Sequence, residues 1–342
     1  MPLLQRRFCY WRRVLCASVA ATDPTRRKHV MAKDAVSGTL SLQSRNPDGG
    51  TAPLTDWGID SEYGVLEDVL LGPVETFGHM DNATFSSIYR ETAEKERAWD
   101  HGAAVAQYTE MCAAYTEAGV RIHTLPADPH LKYGVYARDS SFMTPWGAVI
   151  TQMANPRRRG EYSSALRFYA DAGIPIYDMV SAGNFEGGDF HIIEPGAVLI
   201  GYTGHRCERV SAEQIGGWLR AEGWEVKRAS IDPFYVHIDL MVCMIAPKCA
   251  AVCLETTPDD VVDWLKSRKV EIIPVGFRDT MALGCNVMSF GNDRVLSPAA
   301  STDLNAKLRA NGFTVYDPEM DMFTMMGGGI HCMAQSLKRG PG

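Results

Sequence analysis

The sequence predicts an α/β fold of five repeated strand–strand–helix–strand units, closed into a ring by joining the two ends of the chain. Three observations support it. Helix-like stretches end in glycine, a short alternating strand follows each of them, and a two-stranded hairpin precedes each helix. Self-similarity at periods of about 20–50 residues is typical of architectures in which each unit packs against its neighbours.

The ends of the helix-like stretches recur at similar spacing. A glycine suits the left-handed position just beyond a helix, and four of the five ends have one (Gly119, Gly173, Gly223 and Gly312). Lys269 takes the equivalent place in the remaining stretch, and the successive intervals are 54, 50, 46 and 43 residues. Each position is therefore predicted to end a helix and to start a strand.

The predicted hairpins lie in the sequence between these helix ends. Four stretches, beginning at "RDSSFMTPWG", "GDFHIIEPGA", "HIDLMVCMIAPK" and "GCNVMSFGND", each hold two apolar runs across a turn signal. A helical pattern follows each hairpin, as in Ile215, Trp218 and Leu219 after a candidate capping box, Ser211-x-x-Gln214. Four units fill about residues 137–318.

A fifth unit is completed only by joining the two ends of the chain. The N-terminal part supplies a strand at 64–72, a long helix near 92–118 and the strand "VRIHTL", and the C-terminal part supplies "IHCMAQSLK". Closure of this kind leaves no exposed sheet edge. The alternative is a two-domain doubly wound α/β fold, which the absence of a GxGxxG or P-loop motif disfavours.

Composition limits the classes of function. The 342 residues are 46% hydrophobic, the net charge is -7 and the pI is near 5.7, which argues against nucleic acid and anionic membranes as partners. The nine cysteines include no CxxC pair, and no apolar run approaches a membrane span. We expect a reduced, soluble, cytoplasmic protein, and homo-oligomerisation stays open.

The first 55 residues differ from the rest. Residues 1–30 hold six arginines, one lysine and a single acid, Asp23, and residues 35–53 are rich in Gly, Ser and Pro. We expect residues 1–55 to be a disordered leader and linker, and residues 56–342 to form a single catalytic domain. The leader is either an organelle-targeting segment, which would make the protein mitochondrial, or the product of a start codon placed before Met31.

A reactive side chain stands at the start of each predicted unit. The sequence shows Arg138-Asp139, Glu186-Gly-Gly-Asp189, His237-Ile-Asp239, Gly284-Cys285-Asn286 and His331-Cys332. Asp139, Asp189 and Asp239 follow one another at intervals of 50 residues, and Cys285 and Cys332 follow at 46 and 47. In a ring of similar units these positions converge, so we predict one active-site pocket.

The residue types predict the chemistry of that pocket. A cysteine, a histidine and an acid make a nucleophile, a general acid–base and its orienting partner. Additional aspartates favour a planar cation with several N–H donors, because guanidinium pairs with carboxylates in bidentate fashion. The same cation would help to hold the cysteine as a thiolate.

The motifs "ARDSS", "EGGD", "HID" and "GGGIHCM", in this order and spacing, resemble the guanidino-group-modifying superfamily. Its members are arginine and agmatine deiminases, dimethylarginine dimethylaminohydrolases and amidinotransferases, and the resemblance covers 57 to about 340. It implies a five-bladed α/β-propeller of ββαβ units with pseudo-fivefold symmetry. It also implies attack by the cysteine on the guanidinium carbon through a covalent amidino-thioether, without a cofactor or a metal ion.

The resemblance assigns roles residue by residue. It implies that Cys332 is the nucleophile, His237 the general acid–base and Glu186 the acid that orients it. Asp139 and Asp239 match the carboxylates that hold the guanidinium nitrogens. Asp189 completes the "EGGD" motif, either as a substrate-binding residue or as a holder of backbone amides. Arg158 or Arg159, in "NPRRRGEY", is the candidate to meet an amino acid's carboxylate; a solvated basic run is the alternative.

Several alternatives stay open at this point. Cys285 lies in the same phase of the repeat as Cys332, but its surroundings "LGCNVMS" lack a glycine run, so we interpret it as core or pocket lining. His331 is expected to point away from the nucleophile if its segment is extended. A metal-dependent hydrolase and a non-catalytic guanidino-binding protein remain as functions of another class.

Within the superfamily the substrate is the open question. We expect hydrolysis of arginine or a close derivative to citrulline and ammonia. Release of dimethylamine from dimethylarginine comes second, and amidino transfer to an amine comes third. "GGGIHCMAQ" also resembles the agmatine deiminases, but agmatine has no carboxylate for Arg158 or Arg159 to meet.

Overall fold

The computed structural model describes residues 45–78 and 99–341 of the chain. By its internal contacts the chain divides into two units, residues 1–39 and 40–342, and all described residues belong to the second. The predicted leader at 1–30 lies outside the described residues. No helix within 45–78 and 99–341 is long and apolar enough to cross a membrane.

Fifteen strands and eight α-helices make up the described part of the chain. The strands are β1 Leu66–Leu71, β2 Arg121–Thr124, β3 Ser141–Thr144, β4 Gly147–Ile150, β5 Ile176–Met179, β6 Phe190–Glu194, β7 Ala197–Tyr202, β8 Glu225–Ser230, β9 Val242–Ala246, β10 Cys249–Val252, β11 Glu271–Pro274, β12 Met288–Gly291, β13 Arg294–Leu296, β14 Thr314–Tyr316 and β15 Ala334–Arg339. The helices are α1 His101–Glu117, α2 Glu161–Asp171, α3 Arg209–Ala221, α4 Asp259–Ser267, α5 Phe277–Met281, α6 Thr302–Ala310, α7 Asp321–Thr324 and α8 Ile330–Met333.

The strands form five three-stranded sheets within these residues, in the orders β15-β1-β2, β3-β4-β5, β6-β7-β8, β9-β10-β11 and β12-β13-β14. In four of them the first two strands form an antiparallel hairpin, and the third pairs parallel to the second after a crossover helix. The predicted strand–strand–helix–strand unit is thereby confirmed.

The remaining sheet joins the two ends of the described chain. Strand β1 pairs antiparallel with β15, with Leu71 opposite Ala334, and parallel with β2, with Leu71 opposite Thr124. The C-terminal strand therefore supplies the hairpin partner that the N-terminal segment lacks, as the spacing predicted. Helix α1 crosses over between β1 and β2; the part of its predicted range at 92–98 lies outside the described residues.

The helix ends follow the sequence prediction closely. Gly119, Gly173, Gly223 and Gly312 have φ values between 67° and 89°, and Lys269 adopts φ 60° at the equivalent place. A residue with a β-carbon tolerates this left-handed conformation poorly, which explains why glycine fills four of the five positions. The lysine shows that the backbone geometry, more than the glycine itself, is the repeated feature.

Helix α3 does not begin with the capping box that the sequence predicted. Ile215, Trp218 and Leu219 are buried as predicted, but the capping-box interpretation of Ser211 and Gln214 is wrong. The helix begins earlier, at Arg209, and the side-chain oxygen of Gln214 instead accepts from the backbone N–H groups of residues 181 and 182. The side chain of Gln214 therefore contacts a loop that is distant in sequence instead of capping its own helix.

Short helical turns stand in front of the hairpins and carry the predicted site residues. Three 3-10 turns, Ala137–Ser140, Gly187–Asp189 and Ile238–Leu240, each precede the first strand of a sheet. The short helix α8 stands directly before β15 and contains Cys332. The sequence prediction of an extended segment there was wrong, because the strand begins only at Ala334.

Residues 45–55, within the predicted linker, contact the domain that follows. The hydroxyl of Thr51 donates to Glu222, Arg45 pairs with Asp178, and the N–H of Leu54 donates to the carbonyl of Pro145. The part of the linker that the structure describes is therefore ordered against the domain. The boundary at residue 55 itself stays a prediction.

Candidate active site

Segments that lie far apart in the sequence meet at one cavity, which holds about 390 Å³ of space not filled by atoms. Four predicted site residues line it, namely Asp139, Arg158, His237 and Cys332. The other walls are Tyr133, Tyr136, Arg206, Val236, Leu240, Met326, Gly327 and Gly328. Three of the units thus direct Asp139, His237 and Cys332 into a common space, whereas Glu186, Asp189 and Asp239 are buried outside its lining.

His237 is held between two acids at the base of this cavity. Its Nε2 lies 2.9 Å from Glu186 Oε2, and its Nδ1 lies 3.6 Å from Asp139 Oδ1. Burial lowers the pKa of His237, but the negative charge of Asp139 and the hydrogen bond with Glu186 outweigh it and raise the pKa to about 9. His237 is therefore an imidazolium at neutral pH, ready to act as a general acid.

The glycine pair of the "EGGD" motif makes room for this imidazole. A β-carbon on Gly188 would lie 2.4 Å from His237 Nδ1, closer than any real side chain can approach. Gly188 lies two residues after Glu186, so the motif supplies both the acid that orients the histidine and the space that the ring occupies.

Glu186 is fully buried and forms an ion pair with Arg206, which was not among the predicted site residues. Arg206 donates from Nε to both carboxylate oxygens, at 3.0 and 2.9 Å, and Nη2 lies 2.7 Å from Oε2. Burial raises the pKa of Glu186, but Arg206 and His237 together lower it well below its usual range. The acid is thus a fixed negative charge behind His237.

Cys332 lies in the helical turn α8 with 5% of its surface exposed. Asn286 Oδ1 accepts the backbone N–H groups of His331, at 2.9 Å, and Cys332, at 3.2 Å, so one amide side chain holds the turn. A β-carbon on Gly329 would lie 2.6 Å from the same oxygen. The glycine run before the cysteine therefore lets the turn dock against Asn286.

The thiol of Cys332 is neutral in this arrangement. Its Sγ lies 3.5 Å from Asp239 Oδ2, towards which it donates. Burial raises the pKa of Cys332 well above its usual value, and the charges of Asp239 and Asp139 raise it further. A positive charge that entered the cavity would offset these carboxylates and lower the pKa of the thiol.

Asp239 lies directly against the thiol of Cys332. His331 Nδ1 lies 3.0 Å from Asp239 Oδ2, so His331 contacts the site instead of pointing away from it, contrary to the expectation for an extended segment. Burial raises the pKa of Asp239, but the hydrogen bond and charge of His331 lower it to about 2. Within the described residues, its other oxygen, Oδ1, is buried without a hydrogen-bond donor.

The structure separates the two candidate arginines. Arg158 lines the cavity, donates to Asp139 Oδ2 at 2.7 Å, and makes two bonds to Glu161, at 2.8 and 2.7 Å. Arg159 is exposed and donates to the backbone carbonyl of Met153. Of the two, only Arg158 is in a position to meet a ligand.

Asp189 lies behind the cavity wall. Its Oδ1 accepts the backbone N–H of Ile238 at 2.8 Å, which fixes the turn between His237 and Asp239. Burial raises its pKa to about 6. This geometry matches the alternative in which the aspartate holds backbone amides.

Cys285, the competing nucleophile, does not line the cavity. It is fully buried, its Sγ lies 3.8 Å from the hydroxyl of Thr280, and burial raises its pKa well above the usual range. This agrees with its interpretation as a core residue.

A model of the family described as "N,N dimethylarginine dimethylhydrolase, eukaryotic" matches residues 74–339, a span that includes every residue of the cavity. The chain belongs to this family. The resemblance to guanidino-group-modifying enzymes is thereby confirmed, and membership places the chain among enzymes that act on guanidino groups, as hydrolases or amidinotransferases.

Individual relatives agree with this placement. An uncharacterised protein of Bacillus subtilis (strain 168), YkgA, is 25% identical over 283 residues, which span 82% of this chain and 94% of the relative. A dimethylarginine dimethylaminohydrolase from Pseudomonas aeruginosa, solved with citrulline, is 19% identical with a TM-score of 0.66, over 79% of this chain and 99% of that one.

Two further solved structures share the fold. SxtG, an amidinotransferase from Microseira wollei, is 16% identical with a TM-score of 0.68 and covers 83% of this chain and 97% of its own. The N-terminal domain of ArgZ, a cyanobacterial arginine dihydrolase, is 18% identical with a TM-score of 0.68 and covers 80% and 97%. Hydrolases and a transferase thus share one mixed α/β architecture with this family member.

Metal binding is disfavoured by the pairing of the candidate ligands. In the described residues, three buried clusters have donor atoms within 4.8 Å of one another: Asp139 with Glu186 and His237, Asp189 with Cys207 and His237, and His191 with Cys243 and His331. Arginines already neutralise Asp139 and Glu186. The rings of His191 and His331 are stacked at an interplanar angle of 15°, so their in-plane lone pairs do not converge on one ion.

Sequence reasoning missed two residues that build the site, Arg206 and Asn286. Arg206 follows the second hairpin just as Arg158 follows the first, so their matching places in the repeat could have revealed it. Asn286 neighbours Cys285 in the fourth unit, but its function as a backbone acceptor depends on a segment 45 residues away. Only the folded chain brings these two together.

Proposed function

We propose that this family member hydrolyses the guanidinium group of arginine, or of a close derivative, to citrulline and ammonia through a covalent amidino-thioether on Cys332. One observation carries the proposal. Cys332, His237 and Asp139 line one cavity, the buried Asp239 lies 3.5 Å from the Cys332 sulfur, and within the described residues each of the two carboxylates keeps a buried oxygen without a hydrogen-bond donor. We also propose that the five sheets form a closed five-bladed propeller around this cavity.

The two carboxylate oxygens without a hydrogen-bond donor indicate the chemistry of the ligand. Oδ1 of Asp139 and Oδ1 of Asp239 are buried acceptors, and an unpaired buried acceptor is costly unless a ligand supplies donors. A guanidinium carries N–H groups on each nitrogen and a positive charge that complements both acids. A nitrogen with two methyl groups brings no donor, but the other two nitrogens of N,N-dimethylarginine keep three N–H groups. The two oxygens therefore fit a methylated guanidinium as well as an unmethylated one.

The charge of the substrate enables the first step. The cation entering beside Asp139 and Asp239 offsets the two charges that raise the pKa of Cys332, so that the thiol releases its proton. The thiolate attacks the guanidinium carbon, and a C–S bond forms. The imidazolium of His237 then protonates a terminal nitrogen, the C–N bond breaks, and ammonia leaves.

Water completes the reaction. After ammonia has left, His237 is neutral and accepts a proton from a water molecule that attacks the amidino-thioether carbon. The C–S bond breaks, the ureido group of citrulline forms, and His237 is again an imidazolium with Glu186 fixed behind it. A transferase would differ only in admitting an amine in place of this water.

The arginines of the cavity wall do not distinguish arginine from agmatine as a substrate. Arg158 and Arg206 both line the cavity, but Arg158 is bound to Asp139 and Glu161, and Arg206 is bound to Glu186. Arginine has a carboxylate at the end opposite its guanidinium, whereas agmatine has none. The two compounds are therefore compared directly as substrates.

The pH dependence of kcat/KM follows from the protonation states of Cys332 and His237. The resting form holds a thiol and an imidazolium, and the reactive form, a thiolate with an imidazolium, has one proton fewer. We expect kcat/KM for arginine to rise about tenfold per pH unit above neutrality and to level near pH 9, where His237 titrates. A buffer series from pH 6 to about pH 10 measures this. A decline of kcat/KM between neutrality and pH 9 would contradict the assigned protonation states.

Replacement of Asp139 by asparagine tests guanidinium binding. The variant keeps the size of the side chain but loses the charge, and a charge-assisted hydrogen bond contributes about 1.5–3 kcal/mol. We expect KM for arginine to rise by about 10- to 100-fold with a smaller change in kcat. Asp171→Asn removes the same charge from an exposed position on α2 and is the matched control. Equal KM values in both variants would refute the binding role.

Product analysis decides among the reactions. The purified full chain is incubated separately with arginine, agmatine, N,N-dimethylarginine, and arginine with glycine, and products are identified by mass spectrometry. We expect citrulline and ammonia from arginine. The family description favours a second candidate, release of dimethylamine from N,N-dimethylarginine. Dimethylamine release with arginine unchanged would replace the proposal by that candidate, and ornithine formed only with glycine would establish a transferase.

A further inference from the structure

A second set of buried charged groups reaches the nucleophile independently of the His237–Glu186 pair. Asp239 Oδ2 lies 3.5 Å from Cys332 Sγ and 3.0 Å from His331 Nδ1. His331 Nε2 lies 3.8 Å from Glu62 Oε2, and the other oxygen of Glu62 accepts from Arg138 at 2.8 Å. The chain runs from Arg138 through Glu62, His331 and Asp239 to the thiol.

The surroundings of His331 favour its charged form. Its Nδ1 is within hydrogen-bond distance of Asp239 Oδ2, at 3.0 Å, whereas its Nε2 faces Glu62 Oε2 at 3.8 Å, too far for a hydrogen bond. A neutral imidazole that donates from Nδ1 would turn a lone pair towards the buried Glu62 carboxylate, whereas an imidazolium turns an N–H towards it. His331 is 3% exposed, so water does not replace either partner.

We propose that His331 is a positioning residue whose imidazolium holds Asp239 in place and offsets its negative charge beside Cys332. The inference rests on the proposed function, because it concerns the same nucleophile. It explains how one carboxylate can bind the substrate guanidinium and still stand against a sulfur that must become an anion. With His331 charged, the His331–Asp239 pair is neutral and opposes the thiolate far less than Asp239 alone.

The other cations near Cys332 are bound to other acids. Arg158 and Arg206 line the same cavity but pair with Asp139 and Glu186, and His237 is bound to Glu186. Cys332 also faces Asp139 and Tyr136, whose anionic forms would oppose a thiolate. Around His331, the stacked ring of His191 is uncharged because burial, followed by the charge of His331, lowers its pKa to about 3.

Cys243 completes the surroundings of His331, and burial raises its pKa well above the usual value, so it brings no charge. Arg138 acts by its charge on both Glu62 and Asp239, but its hydrogen bonds go to Glu62 and to the backbone carbonyls of Gly187 and Phe190. Loss of the His331 charge would therefore remove the cation that is hydrogen-bonded to Asp239.

The test measures the reactivity of the thiol and needs no substrate. The full chain is treated with iodoacetamide at several pH values, and the alkylation rate at Cys332 is followed by mass spectrometry of its peptide. Below the midpoint of ionisation this rate follows the thiolate fraction. His331→Asn keeps a donor near the Nδ1 position without the charge, and His331→Phe keeps the ring on His191 without donors or charge. His205→Gln removes an exposed histidine and is the control.

We expect both His331 variants to be alkylated about tenfold more slowly than the parent chain at the same pH, since loss of a nearby positive charge raises the thiol midpoint by about one unit. His205→Gln should match the parent. A purely structural role would loosen the packing and speed alkylation instead. If His331→Asn is alkylated at the parental rate or faster, the inference is overturned.

Steady-state kinetics distinguish the positioning of Asp239 from the effect of the His331 charge. With arginine, we expect His331→Asn to keep a KM near that of the parent, because Asp239 is still held, and His331→Phe to raise it. Equal KM values in the two variants would overturn the positioning role. If the parent turns over no guanidino substrate while the alkylation rates shift as expected, the proposed function fails and the effect of His331 on the thiol stands.

Discussion

Replacement of Cys332 by alanine is expected to lower kcat for arginine by at least about 10⁴-fold while the fold is retained. Its sulfur is the atom proposed to form the amidino-thioether, and none of the other groups lining the cavity is a thiol. Loss of a single buried sulfur leaves a small space in the turn α8, so the thermal unfolding temperature should change little. Turnover and circular dichroism measured on the same preparation check both statements.

The matched control for this prediction is Cys285→Ala. Both cysteines are buried and lie in the same phase of the repeat, but Cys285 contacts Thr280 in the core and does not line the cavity. We expect the control to retain turnover. Wild-type rates in Cys332→Ala, or loss of turnover only in Cys285→Ala, would move the nucleophile to the other residue. Mass spectrometry of the chain trapped with substrate should find the adduct on the peptide that contains Cys332.

Replacement of His237 by alanine is the second large effect. In the proposed mechanism its imidazolium gives a proton to the departing nitrogen, and the neutral imidazole then accepts one from water. A positioned acid–base group contributes about 10²- to 10⁴-fold. We expect kcat to fall by about 10³-fold or more, because both steps lose the same group. The break in the kcat/KM profile near pH 9 should vanish with the group that titrates there.

His123→Ala is a suitable comparison for His237→Ala. His123 also bonds to an acid, with Nε2 2.8 Å from Asp68 Oδ1, but it lies on β2 and does not line the cavity. It should keep both the rate and the pH profile. A His237→Ala variant that retained the break near pH 9 would show that another group sets it.

Much of the architecture was predictable from local sequence. The repeat of hairpin, helix and strand could be located because turn residues and apolar alternation act over a few residues, and the left-handed helix ends select glycine wherever no other residue is forced there. The in-phase positions of Asp139, His237 and Cys332 followed from the same repeat, since equivalent positions of similar units meet in space.

Other features depend on partners far away in the sequence. The sequence around Arg206 does not indicate that it pairs with Glu186. The sequence around Asn286 likewise does not indicate that it binds the backbone of Cys332. The choice between Arg158 and Arg159 likewise depends on which side chain faces Asp139, which a run of three basic residues does not reveal.

The sequence by itself determined the order of the units, the pairing of the C-terminal strand β15 with β1 and the types of residue that line the cavity. These properties depend on backbone conformation and hydrophobic periodicity, which are local. Only the tertiary structure decided that Cys332 lies in a helical turn, that its thiol is neutral and that His331 faces Asp239. Those properties are electrostatic and steric, and they arise when buried charges from distant segments come within a few ångströms of one another.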